Sequence, residues 1–181
     1  MRALELVPFY VPSNDGLIER LGDELAREFR CEVRVRLPWF DPEDAYDSER
    51  GQYDSTELLA ALLADPEASD ALVLGVTGVD LFVPVLTFVY GEAQLDGRAA
   101  VVSLHRLRAE AYGLAPDPEL LYERLYKEAA HELGHVHGLL HCADPSCVMR
   151  ASSYVEQVDG KTREFCDGCL ATVEAHVGAE R

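Results

Sequence analysis

Residues 131 to 141 read HELGHVHGLLH, and this segment limits the possible folds more than any other part of the chain. Positions i and i+4 of a helix lie on one face, a turn apart, so a helix here places His131 and His135 side by side. On a continuous helix, at about 100° per residue, His141 would point far away from His135. Gly138 can adopt the left-handed turn that ends a helix and redirects the chain. The sequence therefore predicts a helix that ends near Gly138, after which the chain returns and delivers His141 to the other two histidines.

These three histidines have the spacing of a catalytic metal site. Neutral imidazoles bind zinc, and three protein ligands leave the open position that a catalytic zinc needs. Glu132 stands beside the first ligand, where its carboxylate can accept a proton from a zinc-bound water that attacks a peptide carbonyl. We therefore predict that His131, His135 and His141 hold a catalytic zinc and that Glu132 is the general base.

The other histidines have no predicted ligand role. His137 lies between the ligands in sequence, but its helical angle points away from them, which indicates a position behind the ligands or on the surface. His105 follows an apolar strand and is predicted to be structural or exposed. His176 lies in the last predicted helix and is assigned no role.

Four of the five cysteines follow the histidines, as a C-x4-C pair and a C-x2-C pair. Two close pairs on separated segments are the usual arrangement of a structural zinc site. Reduced cysteines without a metal, or two disulfides in an exported protein, are the alternatives. The predicted ligands are Cys142, Cys147, Cys166 and Cys169, whereas Cys31 is predicted to be a small buried residue at the start of a strand.

Charge and hydropathy argue against two classes of partner. The chain has 181 residues and a formal net charge of -17. Such a field repels phosphate groups, so we expect neither nucleic acid nor an anionic membrane as a partner. The most apolar stretch, residues 71–90, is interrupted by Asp80 and Pro84 and is predicted to form two buried strands rather than a membrane span. No targeting segment is recognised, so we expect a cytoplasmic location.

Apolar periodicity predicts an α/β (α+β) fold, a mixed sheet with helices packed on it. Residues 1–181 suit one domain, with an N-terminal α/β subdomain over 1–138 and a C-terminal subdomain over 139–181. Asn14 or Asp15 is predicted to cap the first helix, and Ser55 the second. Residues 31–37 are predicted to be a half-buried strand, residues 38–53 a loop and residues 91–97 a turn. The remaining strands are predicted at 3–10, 71–79, 85–90 and 99–104, and the helices at 17–29, 55–64, about 118–140 and 167–177.

The chain also resembles a known family. The resemblance rests on HELGHVHGLLHC, on Cys147 and Met149 in C-V-M, and on the Cys166/Cys169 pair, which are similar to the archaemetzincins, zinc metallopeptidases of the metzincin clan. It implies a metzincin-like twisted sheet with backing helices, an active-site helix and a small irregular C-terminal subdomain held by zinc. It also implies two zinc ions per chain, one on the three histidines and one on the four cysteines, with Glu132 as general base and acid. Met149 would form the methionine turn, an apolar floor beneath the histidines.

The predicted function is hydrolysis of peptide bonds in a peptide or protein substrate. Aminopeptidase and endopeptidase activity are both open. By analogy with metzincins, an extended peptide would lie along an edge strand near Phe88–Gln94. Tyr154 follows the methionine turn and could touch the metal or an oxyanion, although a packed tyrosine is the simpler interpretation. One alternative is a peptide-binding module that keeps zinc with little turnover, against which the intact Glu132 argues. Another is a nucleic-acid-binding zinc finger, against which the acidic charge argues.

Overall fold

A five-stranded sheet forms the centre of the protein. The structure is a computed structural model and describes residues 2–12, 16–67 and 70–179. The strands lie in the order β2 (Val33–Val35), β1 (Leu4–Phe9), β5 (Leu72–Thr77), β8 (Ala99–Ser103) and β7 (Gly91–Ala93). The first four are parallel, and β7 pairs with β8 in the antiparallel direction at the edge of the sheet. Strands β5 and β8 are buried along their whole length, because helices or a second sheet cover both faces.

Two hydrophobic clusters cover the two faces of this sheet. Successive residues of a strand point to opposite faces, so Leu72 and Leu74 join one cluster while Val73 joins the other. The larger cluster is built on the sheet by three helices: α1 (Leu17–Glu28), α3 (Pro118–Val136) and α5 (Asp167–Ala179). The smaller cluster contains α2 (Ser55–Leu63), which packs beside a second sheet of β3 (Tyr46–Asp47), β4 (Gln52–Asp54) and β6 (Leu81–Phe82).

The long helix α3 has a clear local cause for its start. Asp117 accepts a hydrogen bond from the backbone N–H of Leu120 at 3.0 Å, and Pro118 occupies the first helical position, where a missing N–H costs nothing. Between α3 and α5 lies a short helix, α4 (Val155–Gly160). Single 3-10 turns occur at Pro42–Ala45, His105–Leu107 and Ala109–Tyr112. None of the helices in the described part of the chain is long and apolar enough to cross a membrane.

The predicted α/β class is confirmed, and most of the predicted elements are found. The helices predicted at 17–29, 55–64 and 167–177 correspond to α1, α2 and α5, and the strands predicted at 3–10, 71–79 and 99–104 correspond to β1, β5 and β8. The cap of α2 is Asp54 rather than Ser55, since the Asp54 carboxylate accepts the N–H of Thr56 at 2.9 Å. The residues predicted to cap α1, Asn14 and Asp15, lie outside the described residues.

The predictions at the sheet edges were wrong. Residues 85–90 are not a strand, apart from one isolated bridge to Val89, and β7 begins at Gly91, where a turn is predicted. On the opposite edge the strand is only Val33–Val35, and Val35 and Leu37 are 55% and 86% exposed rather than half-buried. The predicted loop 38–53 contains a 3-10 turn and part of the second sheet. In each case contacts with distant parts of the same chain, rather than local periodicity, decide which backbone segments form strand pairs.

Candidate metal centre

Helix α3 places the imidazoles of His131 and His135 next to each other. Their Nε2 atoms are 3.1 Å apart. Nδ1 of His131 donates to the carbonyl of Val148 at 2.9 Å, and Nδ1 of His135 donates to the carbonyl of Leu139 at 2.7 Å. A carbonyl oxygen can only accept, so the hydrogen of each ring is on Nδ1 and the lone pair is on Nε2. Both lone pairs are thus available to one metal ion.

A turn at Gly138 brings His141 to the same place. Gly138 has φ 83°, in the left-handed region that glycine adopts without strain. Its N–H donates to the carbonyl of His135 at 2.9 Å, as in a Schellman motif, which closes the helix. The ring centre of His141 then lies 5.3 Å from that of His131 and 5.0 Å from that of His135. Each of the three offers one ligand atom within 4.8 Å of the others.

The environment favours neutral rings at two of these positions. Burial lowers the pKa of His131 well below its usual value, and the charge of Lys161 lowers it further. Burial also lowers the pKa of His135, which is only half-buried. His141 is exposed. Neutral imidazole is the form that binds a metal, so the first two rings need not lose a proton to do so.

Glu132 lies buried against the edge strand. A Cβ atom on Gly91 would lie 2.6 Å from the carbonyl oxygen of Val101, 2.7 Å from Cγ of Glu132 and 2.8 Å from its Oε1, so only glycine at position 91 fits between β8 and this carboxylate. Burial raises the pKa of Glu132 well above its usual range, the charge of Glu128 raises it further, and Lys161 opposes both. This carboxylate therefore takes up a proton more readily than an exposed glutamate does.

Met149 packs beneath the histidines, where it is fully buried. A Cβ atom on Gly134 would come far inside van der Waals contact with Sδ of Met149 and lie 3.1 Å from its Cε. The carbonyl of Met149 accepts the N–H of Cys142 at 2.9 Å, and the carbonyl of the preceding residue, Val148, accepts Nδ1 of His131. The segment 148–149 therefore joins the first histidine to the residue that follows the third.

The four cysteines of the C-terminal part form a second group. Their sulfur atoms lie within 4.8 Å of one another, and none is in a disulfide. Sγ of Cys147 accepts the N–H of Cys166 at 3.3 Å, and Sγ of Cys142 accepts the N–H of Asp144 at 3.4 Å. Burial raises the pKa of the Cys147 and Cys169 thiols, whereas a backbone hydrogen bond from Cys169 lowers the pKa of the Cys166 thiol. Backbone N–H groups aimed at sulfur favour thiolates, the form that binds zinc.

Both groups fit zinc by their spacing. A tetrahedral zinc with Zn–S bonds of about 2.3 Å sets its sulfur atoms about 3.8 Å apart, and the Cys142 and Cys166 sulfurs are 3.8 Å apart. Zn–N bonds of about 2.0–2.1 Å set two nitrogens about 3.3 Å apart, close to the 3.1 Å between the Nε2 atoms of His131 and His135. Three nitrogens leave one position of the tetrahedron open, whereas four sulfurs close it.

A cavity of about 800 Å³ opens beside the histidines. Residues 86–93 from the sheet edge, α3, and residues 140–141 and 151–154 line it. Its edge strand is β7, within the range predicted for substrate binding. Glu128 also lines the cavity, one helical turn before Glu132, and its Oε1 lies 2.8 Å from Nζ of Lys161, whose side chain is fully buried. A buried ion pair thus stands next to the proposed base.

Comparison with known proteins agrees with this geometry. The model of peptidase family M54 matches residues 31–175. The archaemetzincin of Methanocaldococcus jannaschii is 44% identical over 163 residues, which cover 89% of this chain and 87% of that protein. The chain belongs to peptidase family M54. It is therefore a zinc-dependent metallopeptidase, a hydrolase that acts on peptides.

Solved structures of similar proteins have the same fold. The crystal structure of archaemetzincin from Methanopyrus kandleri has a TM-score of 0.84 at 40% identity, and the match covers 98% of this chain and 96% of that one. The crystal structure of a zinc-dependent peptidase from Methanocorpusculum labreanum has a TM-score of 0.83 at 29% identity, over 94% and 100% of the two chains. The predicted metzincin-like architecture and the predicted family are confirmed.

Among the other residues named from the sequence, Tyr154 lines the cavity beside the histidines, and His137, His105 and Cys31 do not. His137 is buried rather than on the surface: it stacks on Phe29 with ring centres 5.3 Å apart, and burial lowers its pKa to about 4. His105 and Cys31 are half-buried. Tyr154 is 67% exposed and lines the cavity, so the simpler interpretation of a packed tyrosine was wrong.

Sequence reasoning missed four residues that shape the M54 site. Glu128 had a signal, because it lies four residues before Glu132 on the same helical face. The other three act through contacts between distant segments and had none: Gly91, Gly134 and Lys161.

Proposed function

We propose that this peptidase cleaves peptide bonds in the 800 Å³ cavity, with His131, His135 and His141 as ligands of a catalytic zinc and Glu132 as general base. The observation that carries the proposal is the convergence of three imidazoles. In the first two, Nδ1 donates to a backbone carbonyl, which leaves the lone pair of Nε2 free to bind a metal. When bound, zinc polarises the scissile carbonyl and acidifies water.

Glu132 supplies the proton transfer. It is one residue from a ligand, and its side chain lies in the cavity wall rather than in the group of three ligands. In this role its carboxylate takes a proton from the attacking water and returns it to the leaving amine. Gly91 sets where the carboxylate stands, since any side chain at that position would occupy the same space.

The edge strand β7 supports a substrate whose backbone lies alongside it. Tyr90 accepts the N–H of Ser103 at 2.8 Å, and Gln94 donates to Ala99 at 2.9 Å. In an antiparallel ladder the bonded and non-bonded positions alternate, so Gly91 and Ala93 turn their backbone N–H and C=O groups away from β8. An extended peptide can pair with these groups and reach the metal.

A second zinc on Cys142, Cys147, Cys166 and Cys169 is also part of the proposal, giving two zinc ions per chain. The close group of free sulfurs supports it. Elemental analysis of protein purified without chelators should find two zinc ions, and one or none would contradict this. The ion on the histidines should leave first under a graded chelator, because its site has an open position.

Replacement of Glu132 tests the catalytic assignment. Glu132→Ala should keep the zinc on the histidines and lose hydrolysis by about 10²–10⁴-fold, the usual effect of a general base. Glu119→Ala is the matched control, since it removes an exposed glutamate from the first turn of the same helix. Loss of the metal in Glu132→Ala would make this residue a ligand, and full activity would make another residue the base.

A peptide library in which half of the peptides are N-terminally blocked tests the cleavage mode. Cleavage of free-amine peptides alone means an aminopeptidase, and cleavage of both halves means an endopeptidase. The alternative of a binding module without turnover predicts cleavage of neither, and membership of a peptidase family does not favour it. The subdomain division at residue 138 and the cytoplasmic location stay predictions from the sequence.

A further inference from the structure

The rim of the cavity carries large apolar side chains that are exposed. Leu86 and Leu95 flank the edge strand and are 52% and 51% exposed. Leu140, directly before His141, is 69% exposed, and Tyr154 is 67% exposed. Exposed apolar residues are ordinary when scattered, but a group from separate segments around one cavity marks a binding surface.

The charged side chains that line the cavity are all acidic. Among the described residues that line it there is no lysine or arginine, whereas Glu92, Glu128 and Glu132 contribute carboxylates. Glu92 is held by hydroxyl groups, accepting from Ser55 at 2.5 Å and from Thr56 at 3.0 Å. Of the three, only Glu128 has a cationic partner in the described structure. Apart from the proposed zinc, the described lining therefore holds no cation that could pair with an acidic side chain.

The wall that carries Leu86 is fixed before any substrate arrives. Nη2 of Arg50 donates to the carbonyls of Leu86 at 2.8 Å and Thr87 at 3.1 Å. Nε2 of Gln52 donates to the same Thr87 carbonyl at 3.0 Å. The guanidinium also lies 4.0 Å from the ring centre of Phe82. A wall held in this way loses little conformational entropy when a ligand packs on it.

We infer that the cavity selects peptides with a large, uncharged apolar side chain next to the scissile bond, and that Leu86, Leu95, Leu140 and Tyr154 contact this side chain. The inference deepens the proposed function and rests on it, since the substrate must lie beside the three histidines. Leu140 adjoins His141, which places the apolar contact next to the reacting carbonyl.

The test separates binding from turnover. Binding is measured by fluorescence anisotropy on zinc-loaded Glu132→Ala protein, with labelled octapeptides in an alanine background. Leucine, aspartate or asparagine replaces one alanine, and each position is varied in turn. At the most sensitive position the leucine peptide should bind about tenfold more tightly than the all-alanine peptide, as expected for added apolar contact. The asparagine and aspartate peptides, whose added side chains are polar, should show no such gain.

Leu86→Ser, introduced into the same protein, should reduce the leucine preference at least about threefold. Val85→Ser is the matched control, because Val85 is the neighbouring residue, is 88% exposed and does not line the cavity. Equal binding of leucine, alanine and aspartate peptides would overturn the inference, as would a leucine preference that Leu86→Ser and Tyr154→Ser both leave intact. Wild-type protein that cleaves none of these peptides, while the binding preference is present, would contradict the proposed function alone.

Discussion

Gly134 allows the most direct test of how the methionine packs under the histidine helix. In the interior of an ordinary helix, a Gly→Ala change stabilises the protein by about 1 kcal/mol, because alanine loses less backbone entropy on folding. At Gly134 the new Cβ would run into Sδ of Met149 and lie 3.2 Å from a ring carbon of Phe165. Both neighbours are buried, so they have little room to move.

The two effects have opposite signs, and their sizes decide the outcome. Overpacking a tight core costs about 1–3 kcal/mol, against the gain of about 1 kcal/mol from helix propensity. We expect Gly134→Ala to lower the free energy of unfolding by about 0–2 kcal/mol. Removing the obstacle should reverse the sign: in a Met149→Ala background, which itself costs about 2–5 kcal/mol, Gly134→Ala should stabilise by about 1 kcal/mol.

Urea unfolding of the zinc-loaded proteins, followed by circular dichroism, measures all four corners of this double-mutant cycle. The expected coupling between the two positions is about 1–3 kcal/mol. Gly178→Ala in α5 is the control, because a Cβ there meets no atom within 4 Å and the residue lies away from the proposed zinc ligands, so it should not destabilise the protein. If Gly134→Ala stabilises the protein by about 1 kcal/mol, the contact with Met149 does not constrain the helix and the reasoning fails.

Three further predictions follow from the contacts around the site. Cys166→Ser should cost several kcal/mol of stability and weaken zinc binding at the histidines, because Cys142 directly follows His141, the proposed third ligand. Competition with a graded chelator measures this affinity, and a folded variant that binds zinc at the histidines as tightly as the wild type would show that the two sites are independent. Gly91→Ala should leave the zinc content unchanged but lower kcat by about 10²-fold, because the methyl group displaces Glu132 and also the edge strand, where it meets the carbonyl of Val101; unchanged kcat in steady-state assays would mean that the site tolerates the methyl group. Arg50→Ala should raise KM more than it lowers kcat because it releases the cavity wall, and Arg50→Lys should recover part of the loss; a fall in kcat alone would argue for a different role.

The sequence was sufficient where the chemistry is local. The spacing of His131 and His135 fixes them on one helical face, and Gly138 marks the end of that helix, so both could be predicted from helix geometry. The position of His141 required only that the helix stop. The family followed from the same residues together with the cysteine pairs.

Elements that depend on distant partners could not be predicted. The short helix α4 has only Val155 and Val158 buried, a single i, i+3 pair that is too short to distinguish a helix from a loop. Its C-terminal end is held to α3 by polar contacts from other segments: Arg124 pairs with Asp159 at 2.7 Å, and Nζ of Lys127 donates to the carbonyl of Val158 at 3.1 Å. No local pattern encodes such contacts.

The strand predicted at residues 85–90 was wrong for a related reason. Residues 85–90 are apolar, which predicts a buried strand. In the structure the carbonyls of Leu86 and Thr87 are instead taken by the side chains of Arg50 and Gln52, and Val85 and Leu86 face outward. An apolar segment predicts a buried strand only when its side chains are not part of an exposed surface, as they are at the rim of this cavity.

The edge strand β7 has only three residues, and this brevity limits what the enzyme can hold. Only Gly91 and Ala93 point their backbone N–H and C=O groups away from β8, and two residues are too few for stable pairing with the edge of another folded sheet. The open edge is therefore protected against self-association, although it lies beside exposed apolar side chains. The same limit means that a chain already folded into a sheet cannot be captured here. We therefore expect the cavity to accept unfolded segments, loops and chain ends, whose backbones are free to extend.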